Sequence, residues 1–511
     1  MAAKKINSAL LSVYYKDGLA PIVKELTRLG VTIYSTGGTQ RFIEEHGGKV
    51  ISVEELTGFP SILDGRVKTL HPTIYGGLLA RREEDHLAQL RDRNMPEIDL
   101  VVVDLYPFEE TVANTDDERE IIEKIDIGGI TLIRAAAKNY RDVVCVSSRN
   151  DYDTLLEILQ NRNGETTLAE RKRLARRGFA TSSHYDAKIH EYFLGGDEQN
   201  DEPVFKQSEH RSTTLRYGEN PHQQGIFYGD FEAVFEKLNG KAISYNNLVD
   251  IDAAVGIMEE FKDGDPAFCI LKHTNACGVA VRDTQVEAWR AALAGDPTSA
   301  FGGILITNRP VDLETAQEID RLFYEVLIAP GFEEDAFEFL SKKSKRILLK
   351  MKGFTPSAKI YKSILNGTIE QDADLQTDAP EDLTVVTRRQ PTDREIADLI
   401  FAGKIAKHLK SNTIVFARDN QLLGMGCGQT SRVDACKQAI AKAENFGFDL
   451  KGSAVASDAF FPFPDCVELA AEAGATAIIQ PGGSIKDKLS IEAADQRGMA
   501  MVMTGRRHFK H

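Results

Sequence analysis

Short, continuously apolar runs that alternate with amphipathic helical stretches limit this chain's fold more than any other feature. In the first 195 residues SALLSVYY is followed by LAPIVKELTRLG, VTIYS, a Gly-Gly turn, TQRFIEEHG and KVISV, a succession of strand and helix. LVVVDLYPF near residues 100–108 and DVVCVSS near 142–148 lack the apolar–polar alternation of a strand with one wet face. Such strands are expected in parallel sheets, where helices cover both faces. A doubly wound open sheet satisfies both patterns and puts the chain in the α/β class. Residues 151–194 carry helical periodicity, and the cations Arg171, Lys172, Arg173, Arg176 and Arg177 read as a solvated helix face.

At 511 residues the chain exceeds one ordinary core, so two or more domains are expected. The polar, acidic stretch GGDEQNDEP at 195–203 is the linker candidate, giving domains 1–197 and 198–511. Beyond it, FCILKHTNACGVAV with SAFGGILIT loosely resembles TIVFARDNQLLGMGCGQTSR with SDAFFPFPD and ATAIIQPGGS. Each set pairs apolar strands with a polar, glycine-bearing turn, which hints at duplication of one α/β unit in halves of about 205–365 and 385–511. The charged, weakly periodic stretch from about 330 to 385 reads as a surface excursion between them.

Composition narrows the partners. A formal charge of −15 repels nucleic acid and anionic membranes, so neither is expected, whereas a small anionic substrate needs only a few local cations. With 42% hydrophobic residues the chain matches a globular protein, yet no segment approaches the roughly 20 consecutive apolar residues of a membrane span. The start MAAKKINSALLSVYY lacks a long apolar run and a small-residue cleavage site, so the cytoplasm is the expected location. Cys145, Cys269, Cys277, Cys427, Cys436 and Cys466 form no CxxC pair, so reduced thiols are expected rather than a disulfide framework or a thiolate zinc site.

Four strings in the first domain carry chemistry. STGGT at 35–39 sits at a strand-to-helix turn, where backbone amides, hydroxyls and the helix N-terminus converge on a phosphate; an unliganded tight turn is the alternative. In DGRVKTLHP, Arg66 and Lys68 lie two apart and share one side of an extended strand, either as a clamp for an anion or as surface cations. Tyr106 in YPF closes a predicted buried strand, at the end where open α/β sheets bind ligands. IDIGGITLIRAAAKNY joins Asp126 and Gly128–Gly129 to a helix bearing Lys138, with Asp126 either facing a ligand or capping that helix. These groups suit positioning more than covalent catalysis.

Taken in order, SVxxKxGL, STGGT, GRVKTLHP, LYPF and IDIGG with RAAAKN resemble the cyclohydrolase domain of bifunctional purine biosynthesis proteins, which is similar in fold to methylglyoxal synthase. The match covers most of residues 6–195. It implies that Lys68, Tyr106, Asp126 and Lys138 line a ring-closing site. It also implies that Ser12, Lys16, Ser35, Thr36, Gly37, Thr39, Arg66, Thr69, Gly128 and Gly129 contact the nucleotide. Tyr14, Tyr15 and Tyr75 depart from the family pattern.

The second region offers further motifs. Arg216 and Tyr217 in LRYGENPHQ suit a phosphate and a heterocycle, or simply a structural loop. KHTNACG puts Lys272 and His273 at a strand end, where the imidazole is a natural proton carrier; a buried structural histidine is the alternative. Asn412 in SNTIVFA and Arg432 in GQTSR offer donors for a carbonyl and an anion. Phe460, Phe461 and Phe463 in SDAFFPFPD read as an aromatic wall or as core packing. Arg507 lies in a basic tail.

LRYGENPHQ, KHTNACG, SAFGG, SNTIVFA, GQTSR, SDAFFPFPD and QPGGSI resemble, in register, the folate-dependent transformylase domain of the same family over residues 210–511. The resemblance implies a duplicated cytidine-deaminase-like α/β fold without catalytic metal, and a homodimer whose subunits share the sites. The implied reaction moves the formyl group of 10-formyltetrahydrofolate to the 5-amino group of the aminoimidazole carboxamide ribonucleotide AICAR. The product FAICAR then closes, with loss of water, to inosine monophosphate, IMP. By matching position, Lys272 and His273 are catalytic and Asn412 positions the formyl group. Arg216, Tyr217, Phe301, Gly302, Arg432, Phe460 and Arg507 match nucleotide contacts, and Asp465 a folate-side contact. A structural monovalent cation near Asp458 is left open.

Two rival readings are a protein with one surviving activity, motivated by Tyr14, Tyr15 and Tyr75, and a nucleotide sensor without turnover. Retention of Lys68, Tyr106, Lys272, His273 and Asn412 together speaks against the sensor, because binding alone does not need both reactive sets. The HxE and PCxxC ligands of a zinc deaminase are absent.

Overall fold

The computed structural model describes residues 3–195 and 204–511. The chain divides into two compact units, residues 1–210 and 211–511; the expected boundary at 197/198 lies outside the described residues.

The first unit is built on five parallel strands: β1 (Ser8–Val13), β2 (Thr32–Ser35), β3 (Val50–Ser52), β4 (Leu100–Asp104) and β5 (Val144–Val146), in the order β3-β2-β1-β4-β5. Helices cover both faces. Ala9, Leu11, Leu100 and Val102 pack with Ile22, Val23 and Leu26 of α1 (Leu19–Arg28). On the other face Leu10, Val101 and Val103 pack with Leu132, Ile133 and Ala136 of α3 (Gly128–Lys138). Successive residues of one strand thus enter opposite cores, which explains the unbroken apolar runs. α2 (Gly37–Glu45) follows β2 directly, and the long α4 (Leu168–Leu194) opens on a capping box of Thr167 and Glu170. One cation assigned to its solvated face is not there. Arg171 is 2% exposed and donates to the carbonyls of Tyr140 (3.1 Å) and Thr166 (2.8 Å), trading hydration for charge-assisted hydrogen bonds.

The second unit holds a sheet of twelve strands. They are β6 (Phe235–Asn239), β7 (Ala267–Lys272), β8 (Asn275–Val281), β9 (Gly303–Thr307), β10 (Tyr324–Ala329), β11 (Ile347–Met351), β12 (Thr384–Val385), β13 (Ile414–Arg418), β14 (Gln421–Gly426), β15 (Ala454–Ser457), β16 (Ala477–Gln480) and β17 (Ala500–Met503). Their order is β6-β11-β10-β9-β7-β8-β14-β13-β15-β16-β17-β12. Outward from the centre one half runs β8-β7-β9-β10-β11-β6 and the other β14-β13-β15-β16-β17-β12, with the same parallel and antiparallel pairings at every step. The hinted duplication is therefore a repeat of topology, joined by the antiparallel contact Ala280–Gln421 between β8 and β14.

The 330–385 stretch is only partly a surface excursion. Its first part supplies β11, whose Ile347, Leu348 and Leu349 are fully buried. The hairpin of Lys359–Ile364 with Gly367–Asp372 is exposed throughout.

The repeat extends to packing. A Cβ on Gly278 of β8 would collide with the carbonyl of Ala292 in the helix Gln285–Gly295, and one on Gly424 of β14 with the carbonyl of Ala439 in the helix Arg432–Asn445. Both glycines let a helix backbone lie against the sheet. Gly278→Val is expected to cost about 2–3 kcal/mol through overpacking. Thermal denaturation should show a lowered midpoint for this variant and an unchanged one for Gly264→Ala, where a Cβ meets nothing nearer than 3.7 Å.

Candidate functional sites

In the first unit the strand order reverses between β1 and β4, and ligands in open α/β sheets bind at such a switch point, beyond the carboxyl ends of the strands. An open cavity of about 740 Å³ lies there. Ser12 at the end of β1, Asp104 and Tyr106 at and after the end of β4, and the first residues of α2 and α3 line it.

Two helix N-termini face this space, and each brings free amides and a partial positive charge. At the first, the Thr36 hydroxyl is buried with no hydrogen-bond partner among the described residues. An orphaned polar atom of this kind calls for a ligand partner. The Lys68 side chain lies over Gly65, where a Cβ would come within 2.6 Å of its ammonium, and reaches toward Gly37, where the corresponding distance is 3.8 Å. At the second, Asp126 does both things the sequence left open. Its carboxylate accepts from the Gly129 N–H (2.6 Å), capping α3, and it lines the cavity. Burial raises the Asp126 pKa above the usual aspartate range, opposed by the amides of Gly129 and Tyr106. Burial, followed by the Asp126 charge, likewise raises Tyr106.

Of the residues implicated in this unit, Ser12, Lys16, Thr36, Gly37, Thr39, Arg66, Lys68, Thr69, Tyr106, Asp126, Gly128 and Gly129 come together in the cavity. Thr39 also ties α2 to β1, donating to the Val13 carbonyl (3.0 Å) and accepting its N–H (3.1 Å). Arg66 is exposed and pairs with Glu123. Two expectations are corrected. Ser35 is fully buried and donates to the Leu11 carbonyl at 2.7 Å, so it joins strands instead of facing the cavity. Lys138 is exposed at the far end of α3, about 15 Å along the axis from Gly128, and does not line the cavity. Asp104, Tyr14 and Lys124 line it without having been singled out as contacts. Position at a strand end was the available signal for Asp104; Lys124 had none. Tyr75, the third departure, bonds Thr131 (2.6 Å).

In the second unit the candidates form two clusters at one edge of the sheet. Lys272 ends β7, and its ammonium donates to the carbonyls of Phe301 (3.1 Å) and Gly302 (2.9 Å). His273 and Thr274 form the hairpin turn with φ of 50° and 64°, held by the Thr274 N–H donating to Asp250 (2.8 Å). The repeat has the same device: Arg418 ends β13 and donates to the carbonyls of Asp449 and Lys451, while the Asn420 N–H donates to Asp398 (2.9 Å). Duplication therefore accounts for the cation-and-turn geometry, and the imidazole is what distinguishes the first copy.

The second cluster borders a cavity of about 470 Å³ lined by Asn412, Arg432, Phe460, Phe463, Asp465 and Phe509, among others. Buried Arg432 donates to Asn412 (2.8 Å) and Ser457 (2.9 Å) and pairs with Asp458. Asp458 keeps one buried oxygen without a partner among the described residues. The aromatic motif divides: Phe461 is core, at 1% exposure, while Phe460 and Phe463 face the cavity. Arg507 stacks over Phe460 (5.2 Å) and Phe509 (4.9 Å). The clusters connect through Cys427, which contacts Asn275 (3.3 Å), and through Gln429, whose carbonyl accepts from Asn412 (2.9 Å). Lys272 and His273 do not line the cavity that holds Asn412. Arg216 and Tyr217 line neither cavity; Arg216 stacks on the Tyr217 ring (5.3 Å) in a loop whose Glu219 carbonyl accepts from Asn246, one helical turn before Asp250.

Among the described residues no group of His, Cys, Asp and Glu could hold a metal ion, and no helix is long and apolar enough to cross a membrane. All six cysteines are free.

Comparison with known proteins places this geometry. The family model described as AICARFT/IMPCHase bienzyme matches residues 136–442, and an MGS-like domain model matches residues 18–131. The chain is 54% identical to a bifunctional purine biosynthesis protein PurH of Bacteroides thetaiotaomicron, covering 100% of this chain and 99% of that protein. It is 49% identical to PurH of Chlorobium phaeobacteroides, covering 100% of both. A crystal structure of ForH is 36% identical over 36% of this chain and 98% of its own, with a TM-score of 0.33. With a family model over more than half its length and full-length relatives near half identity, the chain belongs to the AICARFT/IMPCHase bienzyme family, the bifunctional PurH proteins of purine biosynthesis.

Proposed function

We propose that the first unit closes FAICAR to IMP and that the second forms FAICAR from AICAR and 10-formyltetrahydrofolate. The observation that carries the reading is the cavity at the switch point, which two helix N-termini, Lys68 and the Thr36 hydroxyl, unpartnered among the described residues, border beside Tyr106 and Asp126. Incubation with AICAR and 10-formyltetrahydrofolate should yield IMP; its absence with properly folded protein sinks the proposal.

In ring closure the carboxamide nitrogen attacks a formamido carbon of the same molecule, so the site mainly selects the reactive rotamer and stabilises charge. Thr36, Gly37 and the α2 N-terminus hold the phosphate. Lys68 and Tyr106 face the developing oxyanion, and Asp126 orients the amide and takes its proton; the former formyl oxygen then departs as water with that proton and the formamido N–H proton, as the ring C=N bond forms. Lys68→Ala is expected to slow ring closure about a hundredfold or more while formyl transfer continues, measured by separate assays. Because the Asp126 pKa is raised, the base form is lost as pH falls through a value above the ordinary aspartate range near about 3.9. The acid limb of the ring-closure profile should lie above that range and vanish in the residual activity of Asp126→Asn.

Formyl transfer starts from a poor nucleophile, an aryl amine whose lone pair is delocalised. His273 accepts its proton as the amine attacks the formyl carbon, the bond from that carbon to N10 of the folate breaks, and the proton is returned to N10 so that tetrahydrofolate leaves. Asn412 positions the formyl group, and Lys272, with two of three donors on carbonyls, turns the third to the formyl oxygen. The folate supplies the formyl carbon; Phe460, Phe463, Phe509 and Asp465 suit its flat ring. The buried unpartnered oxygen of Asp458 suits a structural monovalent cation. We place the enzyme in the cytoplasm, in keeping with its free thiols.

The separation of Lys272 and His273 from the Asn412 cavity favours a homodimer in which each transformylase site draws on both subunits. His273→Ala and Asn412→Ala homodimers should each lack transfer. Subunit exchange in an equal mixture of the two should restore about a quarter of parental activity, because about half the dimers are then mixed and each of these has one intact site of two; no recovery after subunit exchange would place each site within one chain.

A further inference from the structure

Tyr14 lines the ring-closing cavity, yet no step assigned above uses it. Its backbone is clamped. The Tyr14 N–H donates to the Asp104 carbonyl (3.2 Å), the Tyr15 N–H to the Asp104 carboxylate (3.0 Å), and the Lys16 ammonium to the carbonyls of Val13 (2.5 Å) and Tyr14 (2.8 Å). Its ring is bracketed as well. Tyr15 meets it edge-on with centroids 4.9 Å apart and planes at 85°, and the Lys124 ammonium lies 5.3 Å from its centroid. Tyr15 is itself anchored by a hydroxyl bond to Glu110 and by the Arg149 guanidinium 4.4 Å from its ring.

The third neighbour of Tyr14 is Tyr106, with centroids 5.5 Å apart and planes at 68°. Tyr106 needs such a neighbour. It is 42% exposed, and among the described residues its hydroxyl has no hydrogen-bond partner, so ring packing sets the direction in which the phenol points. Edge-to-face contact is a preferred aromatic geometry, and here it comes from a residue that is already immobilised.

We propose that Tyr14 is a positioning residue of the ring-closing site, holding the Tyr106 phenol toward the reacting centre. The inference rests on the ring-closure reading of this cavity. A small side chain at position 14 leaves Tyr106 free to swing among rotamers, and misplacement of a catalytic group by about an ångström costs one to two orders of magnitude in rate. The loss should fall on kcat, because the phosphate contacts that dominate binding are untouched.

The test is steady-state ring closure with FAICAR by the full-length Tyr14→Ser and Tyr14→Phe proteins, with formyl transfer assayed on the same samples to report folding. The expected result for Tyr14→Ser is a kcat reduced about tenfold or more with KM changed less than about threefold. The alkaline limb should also move to lower pH, since Tyr106 loses part of the burial that raises its pKa. Tyr14→Phe keeps the ring, and with it the burial that is the largest cause of the raised Tyr106 pKa, so it should restore kcat to within about twofold and bring back most of the limb's displacement. The proposal is overturned if Tyr14→Ser closes the ring at the parental kcat, or if Tyr14→Phe is as impaired as Tyr14→Ser. Should Tyr106→Phe close the ring at the parental rate, the phenol has no role to be positioned for and the proposal is likewise overturned, whereas failure of the cavity assignment itself would show as normal ring closure in Lys68→Ala.

Discussion

Everything at the first site depends on one constraint, that parallel strands must be crossed over by helices on both faces. A crossover returns the chain so that every strand ends, and every following helix begins, at the same edge of the sheet. Unsatisfied amides and unopposed strand ends therefore gather there whatever the sequence encodes. This chain exploits that edge twice, at Gly37 and at Gly128, on either side of the point where the strand order reverses. Lys68, Tyr106 and Asp126 are additions to a frame that already attracts anions.

The second unit solves a different problem with repetition. A hairpin ending in a cation, a left-handed turn and an aspartate that caps the turn occurs in both halves. In the second copy Arg418 is spent on the carbonyls of Asp449 and Lys451, and Asp419 stands in the turn. In the first, the cation is a lysine with a donor to spare and the turn residue is an imidazole. One structural device thus carries different residues in its two copies, while the other copy contributes Asn412, Arg432 and the aromatic wall at the same sheet edge.

Much of this was legible in the residues. The unbroken apolar runs announced parallel strands, and the loose resemblance of FCILKHTNACGVAV with SAFGGILIT to TIVFARDNQLLGMGCGQTSR with SDAFFPFPD and ATAIIQPGGS anticipated the repeat of topology. Other features were not. Charge alone put Arg171 on the solvated face with Arg173, although its spacing to Leu174, Ala175 and Gly178 lies on the buried stripe; the residues did not show the interior carbonyls that receive its guanidinium. Ser35 and Thr36 are neighbours of similar chemistry, but alternation along an extended chain sends the first into the strand pairing and the second toward the cavity. Lys138 sits in a motif next to Asp126 on paper, and an intervening helix carries it away.

By itself the sequence determined the features set by period, turn chemistry and residue type: the α/β class, the glycines at the helix starts, the cations and carboxylate available for a nucleotide, and the family. The tertiary structure decided which of these groups share a space, because proximity across a sheet depends on strand order and crossovers that no local pattern encodes. It brought Tyr14, Asp104 and Lys124 to Tyr106 and Asp126. It also left Lys272 and His273 outside the cavity of Asn412.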